Sequence, residues 1–123
     1  MPKRILIVDD EKDVAMLLHH YLELKDYEVE EVYNGADALN RIFNRKFDLV
    51  LLDYGMRDIK GDRICSLTCS DAKMQKLPVI IIVTAHIEMD DRIFKEYGAT
   101  DVIYKPLDAE ELISKVEKYL GKS

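Results

Sequence analysis

The chain has 123 residues, 48% of them hydrophobic and 34% charged, with a formal net charge of -6 and a pI near 5.0. That is the size of a single globular domain able to bury its own core without staples. The acidic balance argues against a nucleic-acid or anionic-membrane surface, and no apolar run approaches the ~20 residues of a membrane span. The N-terminus enters a strand almost at once, with no secretory pattern, so the expected location is the cytoplasm.

Lys3–Val8 is the first predicted strand. Lys12–Lys25 follows as a helix, with Val14, Leu17, Leu18, Tyr21 and Leu22 on one stripe. Glu28–Val32 alternates polar and apolar residues, the pattern of an edge strand. After Asn34-Gly35 comes a second amphipathic helix, Ala36–Arg45, expected to turn Ala38, Leu39, Ile42 and Phe43 inward. Asp48–Asp53 is the third strand, and a loop through Gly55 and Gly61 leads to a helix near Asp62–Ser70. Pro78–Val83 is the fourth strand, with Pro at its tolerated first position. A short helix is expected over roughly Glu88–Tyr97, stopped by Gly98. Asp101–Tyr104 is the fifth strand. Asp108 caps the last helix, with Glu111 in the capping-box relation and Leu112, Ile113, Val116 and Leu120 inward.

The strands are short continuous apolar runs, the mark of strands buried on both faces. Alternating with helices, they predict a (βα)₅ doubly wound parallel sheet in a three-layer, flavodoxin-like α/β sandwich. Nothing suggests a second domain, so residues 1–123 are expected to form one domain with no output domain attached. Cys65 and Cys69 stand one helical turn apart, too far for an unstrained disulfide and too few for a metal centre. They are expected to be plain helix cysteines in a reducing compartment.

Chemistry in an open parallel sheet gathers at the carboxyl ends of the strands. Asp9 and Asp10 follow the first strand, Asp53 ends the third, Thr84 follows the fourth, and Lys105 follows the fifth. Three carboxylates, a hydroxyl and an ammonium should therefore meet in one pocket. Carboxylates ~4 Å apart repel by about 4 kcal/mol per pair at an effective dielectric of roughly 20, so the cluster calls for a cation. All-oxygen ligation with open positions suits Mg²⁺ and a phosphoryl group. Alone, Asp9-Asp10-Glu11 could simply cap the first helix, and Thr84 and Lys105 could be ordinary strand-end residues.

The motifs Ile5-Leu-Ile-Val-Asp-Asp10, Leu49-Val-Leu-Leu-Asp-Tyr-Gly-Met56 with Gly61, Val83-Thr-Ala85 and Tyr104-Lys-Pro106 resemble the receiver domain (CheY-like) of two-component response regulators. The resemblance runs from Lys3 to Leu120. It implies the strand order 2-1-3-4-5. It implies that Asp53 is the phosphoacceptor, attacking the phosphohistidine of a sensor histidine kinase or histidine phosphotransfer protein. Mg²⁺ would be held by Asp10, Asp53 and the Gly55 carbonyl, with Asp9 acting mainly through water. Lys105 would neutralise the phosphoryl charge, and Thr84 and the Ala85 N–H would bind phosphoryl oxygens. The Lys105–Pro106 peptide would be cis. The implied role is a signalling switch that binds a downstream target protein, not an enzyme with exogenous turnover and not a nucleic-acid or membrane binder.

Three departures from the family pattern stand out. Arg57 replaces the usual Pro, which should loosen or re-aim the following loop. His86 takes a variable position near the reacting water. Val102 stands where the switch aromatic usually lies. Side chains alternate along a strand, so Val102 and Tyr104 share a face; Tyr104 either takes over the switch or simply packs against neighbouring helices. His19 and His20 are expected on a partly exposed helix surface. Three alternatives remain open at this point: a phosphatase with an Asp nucleophile, which lacks its acid because position 55 is Gly; an FMN carrier; and a receiver cut from a larger regulator or hybrid kinase.

Overall fold

The computed structural model describes residues 2–71, 77–83, 95–96 and 98–121. Its elements are β1 (Arg4–Val8), α1 (Lys12–Glu23), β2 (Glu28–Val32), α2 (Gly35–Asn44), β3 (Leu49–Asp53), α3 (Gly61–Cys69), β4 (Val79–Val83), β5 (Asp101–Tyr104) and a C-terminal helix, here α4 (Ala109–Leu120). All four strand pairings are parallel and the order is β2-β1-β3-β4-β5, as expected. The helix expected over roughly 88–97 lies almost wholly outside the described residues. Gly98, expected to end it, has φ 100°, in the left-handed region open to glycine.

The strand sequences explain the three layers. Side chains alternate across a strand, so each apolar run feeds both faces. Leu6, Val8, Val50, Leu52 and Val102 pack with Ala38 and Ile42 of α2 and Ile64 and Cys65 of α3. Ile5, Ile7, Leu49, Leu51 and Ile103 pack with Ala15, Leu18 and Leu22 of α1 and Leu112 and Val116 of α4. β2, at the edge, is buried fully only at Val32.

Two expected core residues face outward. Leu17 is 46% exposed and Phe43 41% exposed. At about 100° per residue, the buried arc of α1 centres between Ala15, Leu18 and Leu22, which puts Leu17 on its far side. The arc of α2 centres on Gly35, Ala38 and Ile42, with Leu39 on its shoulder and Phe43 beyond it. Small residues at Ala15 and Ala38 let both helices approach the sheet closely.

Local signals end the elements. α1 stops two residues before the expected Lys25, and Asp26 at φ 65° turns the chain toward β2. The Asn34 side chain caps α2 by accepting the Asp37 N–H at 2.8 Å. Asp108 caps α4, but its carboxylate accepts the Glu110 N–H at 2.9 Å rather than completing a box with Glu111. Cys65 is buried in the core.

Candidate active site

Register brings the acidic residues together. Val8 pairs with Leu52, so Asp9 and Asp53 leave β1 and β3 side by side. The carboxylates of Asp9, Asp10 and Asp53 each offer an oxygen within 4.8 Å of the others. Asp9 is 1% exposed and Asp53 4% exposed, while Asp10 is half-buried. Asp9 Oδ1 accepts the Glu11 N–H at 2.9 Å in a local turn before α1, whose N-cap, Glu11, makes no side-chain capping bond. Its other oxygen serves the cluster.

Lys105, leaving β5, sends its ammonium into the same space, 3.5 Å from Asp53 Oδ1 and 3.9 Å from Asp9 Oδ2. These are long contacts for charge-assisted hydrogen bonds. Asp9 Oδ2 and Asp53 Oδ1 are buried without a hydrogen-bond partner among the described residues. Such orphaned acceptors are uncommon in native proteins and mark a site that expects a ligand. Burial pushes the Asp9 carboxyl up to about 6; the Glu11 N–H opposes this, and the Asp53 charge adds to it. Burial also raises Asp53, held back by Lys105 and the Gly55 N–H. Two buried carboxyls whose ionisation is disfavoured, with oxygens facing one space, fit an absent hard cation such as Mg²⁺.

The β3–α3 loop walls the site. A Cβ on Gly61 would sit 2.9 Å from the Tyr54 Cα and 3.0 Å from the Asp53 carbonyl oxygen, so only glycine allows this approach. Gly55 lies beside Asp53, where a Cβ would come within 3.7 Å of its Oδ2. The loop expected to loosen at Arg57 is tethered on both sides. Met56 is buried, and the Asp58 carboxylate accepts the N–H groups of Gly35 (2.8 Å) and Ala36 (3.1 Å). Those bonds hold the Asp58 carboxyl below its usual range. Arg57 itself reaches back over the site, its Nε 3.8 Å from Asp10 Oδ2. Sequence reasoning missed both roles; the only signal was a charged residue where the family pattern has Pro.

The Lys105–Pro106 peptide is cis. Val102 and Tyr104 pack on the same core cluster, with Ile103 on the opposite one, as the pleat requires. Thr84, Ala85 and His86 lie outside the described residues. His20 is exposed, whereas His19 is half-buried and ion-paired with Glu31 and with Glu23 at 3.3 Å.

A family described as the response regulator receiver domain matches residues 5–117 of this chain. The chain is 36% identical over 120 residues to the response regulator ArlR of Staphylococcus aureus, covering 97% of this chain and 53% of ArlR. It thus spans about half the length of the curated relatives it matches. Among solved structures, it is similar to a putative response regulator from Chloroflexus aurantiacus (28% identity, TM-score 0.92, 98% of each chain covered). It also shares its fold with the receiver domain of sensor histidine kinase PA1611 from Pseudomonas aeruginosa (22% identity, TM-score 0.88, covering 97% of this chain and 99% of that one). That protein holds a magnesium ion in its active-site cleft.

Proposed function

Because the chain belongs to the response regulator receiver domain family, we propose that it is a switch driven by transfer of a phosphoryl group to Asp53. The observation that carries this reading is the pair of orphaned oxygens on Asp9 and Asp53, buried opposite a single ammonium. The donor would be the phosphohistidine of a sensor kinase or phosphotransfer protein. An Asp53 oxygen attacks phosphorus, the O–P bond forms, the P–N bond breaks, and its electron pair returns to the imidazole. Lys105 neutralises the charge carried by the transferred group, at a spot set by its contacts to Asp53 and Asp9.

Asp10, Asp53 and the Gly55 carbonyl would hold Mg²⁺, with Asp9 acting through water. Bound there, the cation would supply charge neutralisation between the carboxylates and the phosphoryl oxygens. The orphaned oxygens support this assignment, as does the magnesium ion in the PA1611 receiver. Thr84 and the Ala85 N–H would bind the phosphoryl oxygens. The work is positioning and electrostatics, as phosphoryl transfer generally requires. No described helix is long and apolar enough to cross a membrane; a cytoplasmic role beside a kinase fits this reading.

Output would pass through the surface at β5 and α4, with the helix expected over roughly 88–97 that lies almost wholly outside the described residues, by docking a target protein or by onward transfer to another histidine. Tyr104 is half-buried against the core that also contains Val102. It would act as the switch aromatic, moving as Thr84 turns toward the phosphoryl group. An unchanged Tyr104 environment in the apo and beryllofluoride-bound states, with Thr84 moved, would rule this out.

The central test is incubation with acetyl phosphate and Mg²⁺, followed by intact-mass measurement. One phosphoryl adduct should form, and none in Asp53→Asn or in EDTA. An adduct that persists in either would refute the assignment. Lys105→Ala should stay folded and keep its Mg²⁺ binding, since Lys105 is not a metal ligand.

A further inference from the structure

We propose that Arg57 is a displaceable counter-ion for Asp10 that sets how tightly the site binds a divalent cation. The inference rests on the cation-assisted reading above and concerns a residue that reading does not use. Among the described residues, two side-chain cations reach the carboxylate cluster. Lys105 is the inner one, 19% exposed, and contacts Asp9 and Asp53. Arg57 is the outer one, 95% exposed, and is the ion-pair partner of Asp10 among the described residues. Each carboxylate of the cluster therefore has a cation within 4 Å, and among the described residues Asp10 is served by the exposed Arg57.

The surroundings of Arg57 decide which part can move. Its neighbours fix the backbone: Met56 is buried in the core, and Asp58 is bonded to the N–H groups of Gly35 and Ala36. Only the side chain is free to swing. It borders an open cavity of about 530 Å³ that is also lined by Asp10, Glu11, Tyr33, Asn34 and Gly55. A guanidinium turned into that space would stay solvated. Its 3.8 Å contact with Asp10 is too long for a charge-assisted hydrogen bond, so little holds it in place.

Mg²⁺ demands close, nearly ideal octahedral oxygen ligation. A dication held by either Asp10 oxygen would lie close to the guanidinium on Oδ2, and the like charges would repel, so cation binding must weaken the Arg57 pair. By linkage, the work of weakening it is subtracted from cation affinity. Exposed pairs of this kind are worth about 0.2–1 kcal/mol, which corresponds to roughly 1.4- to 5-fold in a dissociation constant. Proline, usual at this place in the resembling family, would exert no such competition.

The test is calorimetric titration of the purified chain with MgCl₂, comparing wild type, R57Q and R57K. R57Q should bind Mg²⁺ about 1.4- to 5-fold more tightly, and the gain should shrink as KCl is added and the pair is screened. R57K, which keeps the charge, should stay near wild type. Circular dichroism should be unchanged, because Arg57 buries almost nothing. Equal or weaker Mg²⁺ binding in R57Q overturns the proposal, as does R57K binding as tightly as R57Q. A wild-type chain that binds no Mg²⁺ would instead overturn the reading of the site itself, and this inference with it.

Discussion

At the β2 edge of the sheet, Glu30 is surrounded by guanidinium groups: Arg41 at 2.8 Å, Arg45 at 2.7 Å and Arg4 at 3.0 Å. At the carboxyl ends of β1 and β3 the ratio is inverted. Among the described residues, Asp9 and Asp53 share one ammonium at 3.5–3.9 Å, and Asp10 has a single loose guanidinium. Both places hold carboxylates on the same sheet, one on a half-exposed edge strand and the other at the ends of buried strands. Glu30 has three guanidinium partners and its side chain is 23% exposed, so its charge is easily kept. The aspartates are more deeply buried and have too few partners, so their charge is kept only at a penalty. A carboxylate cluster with such a deficit has a use for an added cation; one without it only fastens β2 to β1 and α2.

The sharpest way to break this contrast is Asp9→Asn in metal-free protein. Asn keeps an oxygen to accept the Glu11 N–H and removes the buried charge. The sign follows from the raised carboxyl of Asp9, at about 6 in the fold against an ordinary 3.8. Between those values the native state holds a proton that the unfolded chain has released. The unfolded state therefore binds fewer protons, and stability falls as pH rises through the window. At neutral pH the penalty is on the order of 3 kcal/mol. Asp9→Asn should thus raise stability in EDTA near neutrality, lose that advantage as pH drops toward about 4, and weaken Mg²⁺ binding. Urea denaturation in EDTA across this range is the measurement. A neutral-pH loss of stability would mean the cluster is already satisfied, and the contrast with Glu30 would fail.

Much of the active end could be read before any fold was known, for a physical reason. Parallel strands all end on one edge, so residues placed directly after apolar runs must converge. That brought Asp9, Asp10, Asp53 and Lys105 together from positions nearly a hundred residues apart. The order of the strands was a different matter: it came from the resemblance, since apolar runs do not say which neighbours they choose. Leu17 and Phe43 were misplaced because periodicity gives an apolar stripe but not the arc that the sheet covers. Arg57 and Asp58 were missed because loop contacts follow tertiary placement, not period. Nothing near Asp58 in sequence announces that its partners are the N–H groups of Gly35 and Ala36.

Asp58 sharpens the comparison from within the active end. It lies on the loop beside the cluster, yet its carboxylate is satisfied by two N–H groups at the start of α2. Partner count, not location, should therefore decide the sign of its removal. Its carboxyl is held below the ordinary value, chiefly by the Gly35 N–H. That contribution is present above an unfolded value of about 3.9 and is lost as pH falls through the folded one. Asp58→Ala should cost about 1 kcal/mol at neutral pH, the usual worth of a capping carboxylate, and less in strong acid. Equilibrium unfolding at the two pH values checks it. A stabilising Asp58→Ala would show that carboxylates at this end are unfavourable as a class, whatever their partners.

The smallest effect belongs to Glu30→Gln, and its sign matters more than its size. Gln keeps the shape and one acceptor oxygen but gives up the charge that three arginines share. Each such half-exposed pair is worth a fraction of a kcal/mol, because solvent screens it and long side chains lose freedom in making it. Arg4 would retain a second partner in Glu28 at 3.5 Å, which softens the loss further. Against this, Arg41 and Arg45 would be left close together with no shared counter-charge, and their repulsion adds to the deficit. The expected result is a destabilisation of about 1 kcal/mol or less that diminishes with added salt, as exposed pairs do at a Debye length near 10 Å and below. Mg²⁺ affinity should not change, since Glu30 lies away from the residues that would hold the cation. Removing a carboxylate charge would then destabilise at the β2 edge and stabilise at Asp9 under the same buffer. If Glu30→Gln instead stabilised the fold, the arginine cluster would be a strained feature like the aspartates, and partner count would no longer separate the two.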